Sequence, residues 1–167
     1  SNSVNLSDGL DGLAAGCSSI VFYGLGTEIL IKEQQDLIVF SILCYSMSGI
    51  CLGFLKYNRH PAKIFMGDTG SLTLGAILGS IAILTDSIFT LTIFSTIYII
   101  ESLSVMIQVV FFKITKKLFN NGKRIFLMAP LHHHFELKGV KETKIVENFW
   151  KINILLVILG IVLKINL

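Results

Sequence analysis

Four groups of residues in this sequence have types and spacings that could do chemistry. The first runs from Asn5 to Gly12, "NLSDGLDG". Read as a helix, it sets Asn5, Asp8 and Asp11 three residues apart, so that each neighbouring pair lies on adjoining faces. Gly9 and Gly12 weaken such a helix but let a ligand or another backbone approach closely. Carboxylates presented this way suit a hard cation or a sugar hydroxyl; a solvated turn at a helix start accounts for one acid better than for two. The second group is "KYNRHPAKIFMGDTGSLTLG", in which Lys56, Arg59, His60 and Lys63 precede Gly67-Asp68-Thr69-Gly70-Ser71 and an apolar run. A helix opening there offers free N–H groups to a phosphate, and Asp68 can hold the Mg2+ that bridges phosphate oxygens. No Gly-Lys-Ser/Thr follows, so this is not a Walker loop, and a plain N-cap by Asp68 or Thr69 is the competing use.

The third group is "RIFLMAPLHHHFELKG". Three consecutive residues on a helix or strand cannot converge on one zinc ion, and no further Cys or His stands at ligand spacing. His132, His133 and His134 are instead expected to bind phosphate or to position groups at a membrane-surface site, where an imidazole donates hydrogen bonds or protons near neutral pH. The fourth is Glu101 with Gln108, seven residues apart and so on one face of an otherwise apolar helix, expected to point into a bundle.

The elements that must position these groups are apolar. The chain is 53% hydrophobic and 15% charged, which is far from the balance of a soluble domain. Its nearly uncharged runs, Gly12–Thr27, Leu37–Leu55, Thr69–Thr85, Ser87–Phe112 and Phe149–Leu163, each approach the roughly 17–25 residues a bilayer-crossing helix needs. The fold expected is all-α, a polytopic integral membrane bundle of about five transmembrane helices in one domain over residues 1–167, with a basic cytoplasmic loop at about 113–146. If the start of the chain is cytoplasmic, twelve of the 14 Lys and Arg fall on that side, and only Lys32 and Lys164 on the other. The net charge of +3 is then a topology signal, and no nucleic-acid patch is present. Cys17, Cys44 and Cys51 lie in apolar runs without metal spacing and are read as packing residues. No basic n-region ahead of a short apolar stretch marks a signal peptide. All the polar clusters except Glu101 gather beside the expected cytoplasmic surface.

Four stretches, "NSVNLSDGLDGLAAG", "FMGDTGSL", "ESLSVMIQV" and "RIFLMAPLHHHFELKG", resemble the bacterial phospho-N-acetylmuramoyl-pentapeptide transferases of the polyprenyl-phosphate N-acetylhexosamine phosphate transferase superfamily. The likeness spans nearly the whole chain, and "MAPLHHHFELKG" is its most specific piece. The resemblance implies transfer of phospho-MurNAc-pentapeptide from UDP-MurNAc-pentapeptide to undecaprenyl phosphate, with release of UMP and formation of lipid I for peptidoglycan. It implies Mg2+ and a multi-pass protein of the bacterial cytoplasmic (inner) membrane whose active site faces the cytoplasm.

Carried over by position, the resemblance implies that Asp68 is a Mg2+ ligand, with Asp8 and Asn5 beside the metal and the ribose–diphosphate. Asp11, Asn58 and Phe65 look like a uridine pocket, Phe65 stacking on the base, and Gly67 lies in the same loop. Gln108 and His132–His134 would close the rim around the nucleotide. Family members typically have ten membrane helices, so about five imply the C-terminal half, with a paired-Asp motif expected upstream. "KKLFNN", Lys116–Asn121, looks like a short insertion in the cytoplasmic loop. Competing readings are a sister transferase using another UDP-N-acetylhexosamine, a membrane fragment inactive without the upstream acids, and a transporter coupled through Glu101, against which the gathering of polar groups at one surface speaks. The oligomeric state stays open, a homodimer included.

Overall fold

The computed structural model describes residues 1–166 of the chain, and its regular structure is helical: α1 Asn2–Leu6, α2 Leu13–Ile31, a 3-10 turn Gln35–Leu37, α3 Ile38–Asn58, α4 Gly67–Leu84, α5 Ile88–Phe94, α6 Thr96–Phe119, α7 Leu131–Leu137 and α8 Glu142–Asn166. Among the described residues, five helices are long and apolar enough to cross a membrane, spanning Leu13–Ile31, Gln35–Asn58, Gly67–Leu84, Thr96–Phe119 and Glu142–Ile165. Each expected run coincides with one of them, with a correction to the fourth. The stretch Ser87–Phe112 is not one helix: Ser95, at φ −90° and ψ 9°, separates α5 from α6. The Thr96 hydroxyl donates to the Ile93 carbonyl at 2.7 Å, so a side chain serves a backbone group at the break. At its far end α6 runs seven residues past Phe112, with Lys116 and Lys117 in its last turn, where cations complement the helix dipole. The expected loop 113–146 therefore shrinks to 120–141 and contains α7.

Helix α2 is the axis of the bundle. Its sequence is apolar on every face, which is the pattern of a helix that packs all round, and 72% of its spanning window is buried, against 22–33% in the other four. Small residues let its neighbours close in. A Cβ on Gly16 would run into the Trp150 indole of α8, and one on Gly24 would stand 2.5 Å from Val157. Within the bundle, hydroxyls and amides pair across helices: Ser18 with Tyr98 at 2.9 Å, Ser19 with Ser48 at 3.0 Å, and the Asn153 amide to the Cys17 carbonyl at 3.2 Å. With no water in a bilayer core, such groups need partners on protein. Outward-facing Val39, Ile83 and Leu155 are exposed, as lipid-facing side chains should be. Cys17, Cys44 and Cys51 are buried and unpaired, in keeping with a packing role.

At the end of the bundle away from the polar clusters, Lys32 clamps the turn after α4. Its ammonium donates to the Thr85 carbonyl at 2.6 Å, the Asp86 carbonyl at 3.0 Å and the Ser87 hydroxyl at 2.9 Å. It also lies 3.2 Å from the fully buried Glu28 carboxylate, which accepts from Ser87 at 2.6 Å. The charge is thus spent on backbone carbonyls that α4 leaves open at its end.

Because α2 and α8 meet through Gly16 and Trp150, Gly16→Leu should overpack that contact and cost about 1–3 kcal/mol. Thermal unfolding in detergent, followed by the fluorescence of Trp150, the single tryptophan, reads this directly. Gly49→Ala, where a Cβ meets nothing within 4 Å, should leave the midpoint unchanged or slightly raised.

Candidate active site

The acidic turn is not the single helix that its spacing suggests. Helix α1 ends at Leu6, residues 7–12 turn, and Gly12 at φ 80° opens α2. Glycine makes this break cheap, since only Gly takes that φ without strain. At Gly9 the space a Cβ would need is occupied by the Nε2 edges of His132 and His133. The turn redistributes the three polar residues: Asn5 stays on α1, while Asp8 and Asp11 lie on the loop.

Asn5 reaches across to α4. Its amide donates to Asp68 Oδ1 at 2.8 Å and to Ser71 Oγ at 3.0 Å, while Ser71 donates to the Gly67 carbonyl. Gly67 begins α4 at φ 64°, and neither Asp68 nor Thr69 makes a side-chain cap, which removes the N-cap reading. Asp8, Asp11, Asn58, Phe65 and Asp68 face one cavity of about 300 Å³. Burial pushes the Asp8 carboxyl up from 3.8 to about 6; a hydrogen bond from the Gly67 backbone opposes the rise, and the neighbouring Asp68 charge adds to it. Asp8 and Asp68 thus bring two carboxylates to one cavity, where the charge of Asp68 opposes that of Asp8. Hard oxygen donors of this kind fit Mg2+.

The residues that the resemblance implies hold uridine line the same cavity. Asn58 is buried and spends its amide on shape: Oδ1 accepts from Gly12 N at 3.1 Å, and Nδ2 donates to the Ile64 carbonyl at 2.9 Å. The loop it pins presents Phe65, 78% exposed, at the cavity. Asp11 Oδ2 accepts from Ala62 N at 2.9 Å and lies 3.3 Å from His60 Nδ1. That imidazole nitrogen is also 3.2 Å from Glu142 Oε2, while Glu142 Oε1 accepts from Asp11 N at 2.7 Å. Sequence reasoning missed this linkage. It treated His60 only as a cation and passed over Glu142, whose place in the first turn of α8 was the available signal.

The three histidines diverge, as their adjacency on one helix dictates. His132, fully buried, lies 3.1 Å from Glu101 Oε2. Its Nε2 is aimed at Gly9 and has no hydrogen-bond partner among the described residues. Glu101 is thus the hub that orients His132. His133 Nδ1 sits 2.6 Å from Glu136, and its ring meets that of His132 at a tilt of 60° with centroids 4.2 Å apart. His134 turns away, accepting at Nδ1 from Leu127 N at 3.1 Å. Gln108 is not among the cavity residues. Its amide accepts from Ile125 N and Phe126 N at 3.0 Å and donates to the Phe126 carbonyl at 2.9 Å, so its side chain holds loop backbone where the sequence suggested nucleotide.

The membrane bundle thus gathers carboxylates, an aromatic and imidazoles at one end, around a cavity whose oxygen donors suit a hard cation. Residues 1–86 match the family model described as Glycosyl transferase family 4, and the chain belongs to that family as a multi-pass membrane protein. Over all 167 residues it is 89% identical to the phospho-N-acetylmuramoyl-pentapeptide-transferase of Prochlorococcus marinus strain MIT 9312. It is 48% identical over 164 residues to the protein of that name from Synechococcus sp. strain CC9605. In both comparisons the chain spans 47% of the relative's length, about half of the curated proteins it matches.

Two expectations follow from the site's geometry. A carboxyl whose pKa is higher folded than unfolded binds protons more tightly when folded. Without divalent cations, the stability it confers is therefore complete below its ordinary pKa near 4 and lost as pH rises through about 6. Asp8→Asn should flatten the pH dependence of the unfolding midpoint across that window in EDTA. Glu101→Leu should leave the buried His132 Nδ1 stranded and cost about 1–3 kcal/mol in chemical unfolding, whereas Glu101→Gln, which keeps a hydrogen-bonding partner, should recover most of it.

Proposed function

We propose that the full-length protein containing this chain transfers phospho-N-acetylmuramoyl-pentapeptide from UDP-MurNAc-pentapeptide to undecaprenyl phosphate, giving lipid I and UMP. The observation that carries this reading is the joint placement of Asp8, Asp68 and Phe65 on one cavity at the basic end of the bundle. It is supported by the 89% identity to a protein bearing that activity's name.

The chain's residues have distinct tasks in this reaction. Asp68 and Asp8 would hold Mg2+, which when bound neutralises diphosphate oxygens and makes UMP a better leaving group. Asn5 fixes the Asp68 carboxylate by donating to Oδ1, leaving its other oxygen for the cation. The exposed ring of Phe65 offers a stacking face to uracil. Asp11, steadied by Ala62, His60 and Glu142, offers its carboxylate to uridine, and Asn58 with Gly67 shapes the wall beside it. His132 and His133 edge the turn at Gly9; the partly exposed His133 would offer an imidazole hydrogen bond to a phosphate oxygen, with the buried His132 set behind it by Glu101, and His134 holds the preceding loop. On this reading residues 1–167 are one transmembrane domain, the site end faces the cytoplasm of the bacterial inner membrane, and further acids come from the upstream part of the protein. The basic residues concentrated at that end support the orientation.

The test is UMP release by a full-length enzyme made by joining this chain to the upstream part of the Prochlorococcus marinus relative. Asp68→Asn should abolish turnover, a loss of about 10³-fold or more on the scale of a removed charge-stabilising group, while the protein stays folded in detergent. His133→Ala should lower turnover strongly. Near wild-type activity of Asp68→Asn would remove it from the metal role, and preference for UDP-GlcNAc over UDP-MurNAc-pentapeptide would assign the chain to a sister transferase.

A further inference from the structure

Beyond the end of the membrane-spanning part of α6, the chain folds back on the helix it has just left. Asn120, at φ 53°, terminates α6, and the returning backbone is pinned by side chains of that helix. Lys123 N donates to Thr115 Oγ1 at 2.8 Å, and Ile125 and Phe126 donate to Gln108. Gln108 and Thr115 are seven residues apart and share a face, so residues 123–126 run antiparallel along α6. Gly122 permits the close approach, since a Cβ there would enter the Phe112 ring. The return brings Arg124 beside Lys113, and between them opens a cleft of about 200 Å³ whose floor is Gln108, Val109 and Phe112.

Lys113, Lys116, Lys117, Lys123 and Arg124 crowd this segment, and no Asp or Glu occurs from residue 113 to 135. Among the described residues none of the five pairs with a carboxylate. Leu118 and Phe119, beside the cations, are exposed, and the Lys123 ammonium lies 5.8 Å from the Phe119 ring centre. Cations mixed with exposed apolar side chains at a helix's exit from the bilayer match a headgroup layer, where long basic side chains reach anionic lipid and aliphatic groups reach the acyl region.

We propose that the cleft between α6 and residues 123–126 binds the phosphate head of an anionic phospholipid, with Lys113 and Arg124 on the phosphate and Val109 and Phe112 against the first acyl carbons. The apolar floor decides between occupants. A soluble acidic peptide would leave Val109 and Phe112 unused, although both belong to the spanning stretch of α6. An acceptor lipid must bring its phosphate to Asp8 and Asp68, and the cavity those residues line shares no residue with this cleft.

The experiment is native mass spectrometry of the protein in neutral detergent, titrated separately with phosphatidylglycerol, phosphatidylcholine and undecaprenyl phosphate. Phosphatidylglycerol should bind about tenfold or more tightly than phosphatidylcholine, with the preference eroding as salt rises. Lys113→Gln combined with Arg124→Gln should bring the two phospholipids level, while Lys138→Gln combined with Lys141→Gln, outside the cleft, should leave the preference intact. Unchanged Trp150 fluorescence checks that the cleft variant stays folded. Full preference retained in that variant would overturn the proposal. So would undecaprenyl phosphate binding more tightly than phosphatidylglycerol and losing that affinity in the same variant, since the cleft would then serve the acceptor.

Discussion

One carboxamide joins the two halves of the polar cavity. Asn5 donates to Asp68 and to Ser71 at once, which ties the short α1 to the first turn of α4 and holds Asp68 against the turn that carries Asp8. For the half-buried Asp8, burial and the neighbouring Asp68 charge both work against its ionised form. Asn5 meets the cost on one side, and the Gly67 N–H on Asp8 meets it on the other. Behind them α2 follows the turn directly and is the most enclosed of the five spanning helices, so Asp8 and Asp11 sit on a turn that leads straight into the axis of the bundle, while Asp68 stands in the first turn of α4.

Much of this was legible in the sequence, because a bilayer imposes length and hydrophobicity on anything that crosses it. The five spans and the gathering of polar and basic residues at one end follow from types and spacing, while the meeting of Asn5, Asp8 and Asp68 was implied by the family resemblance. What failed to read through was local geometry. The spacing of Asn5, Asp8 and Asp11 fits a helix, yet Gly9 and Gly12 favoured a turn once two imidazoles needed the room. The apolar run containing α5 and α6 looked continuous, since a break made by Ser95 and Thr96 changes hydropathy hardly at all. Gln108 fell on the expected face but was claimed by loop backbone, and an amide facing polar backbone is indistinguishable in sequence from one facing a ligand.

The His60 linkage shows why second-rank residues evade such reading. Asp11 needs something to hold it, and the structure supplies an imidazole from the loop after α3 and a carboxylate from the start of α8. Their positions are 49 and 131 residues away from Asp11 along the chain, so only the closing of the bundle brings them together. A motif scan finds residues that touch substrate, while the groups that orient them are set by tertiary contact.

The Glu28 and Lys32 pair at the opposite end bears on how the chain is assembled. Glu28 accepts from Ser87, a residue made 59 positions later, so when α2 first emerges from the ribosome that partner does not exist. Lys32, one helical turn further along the same helix, is within reach of Glu28 as soon as α2 coils. The nascent helix can therefore enter the membrane with its one acid already neutralised, and the lysine later turns its remaining donors to α4 when that helix arrives. The order of synthesis is thereby reconciled with a carboxylate that ends up fully enclosed.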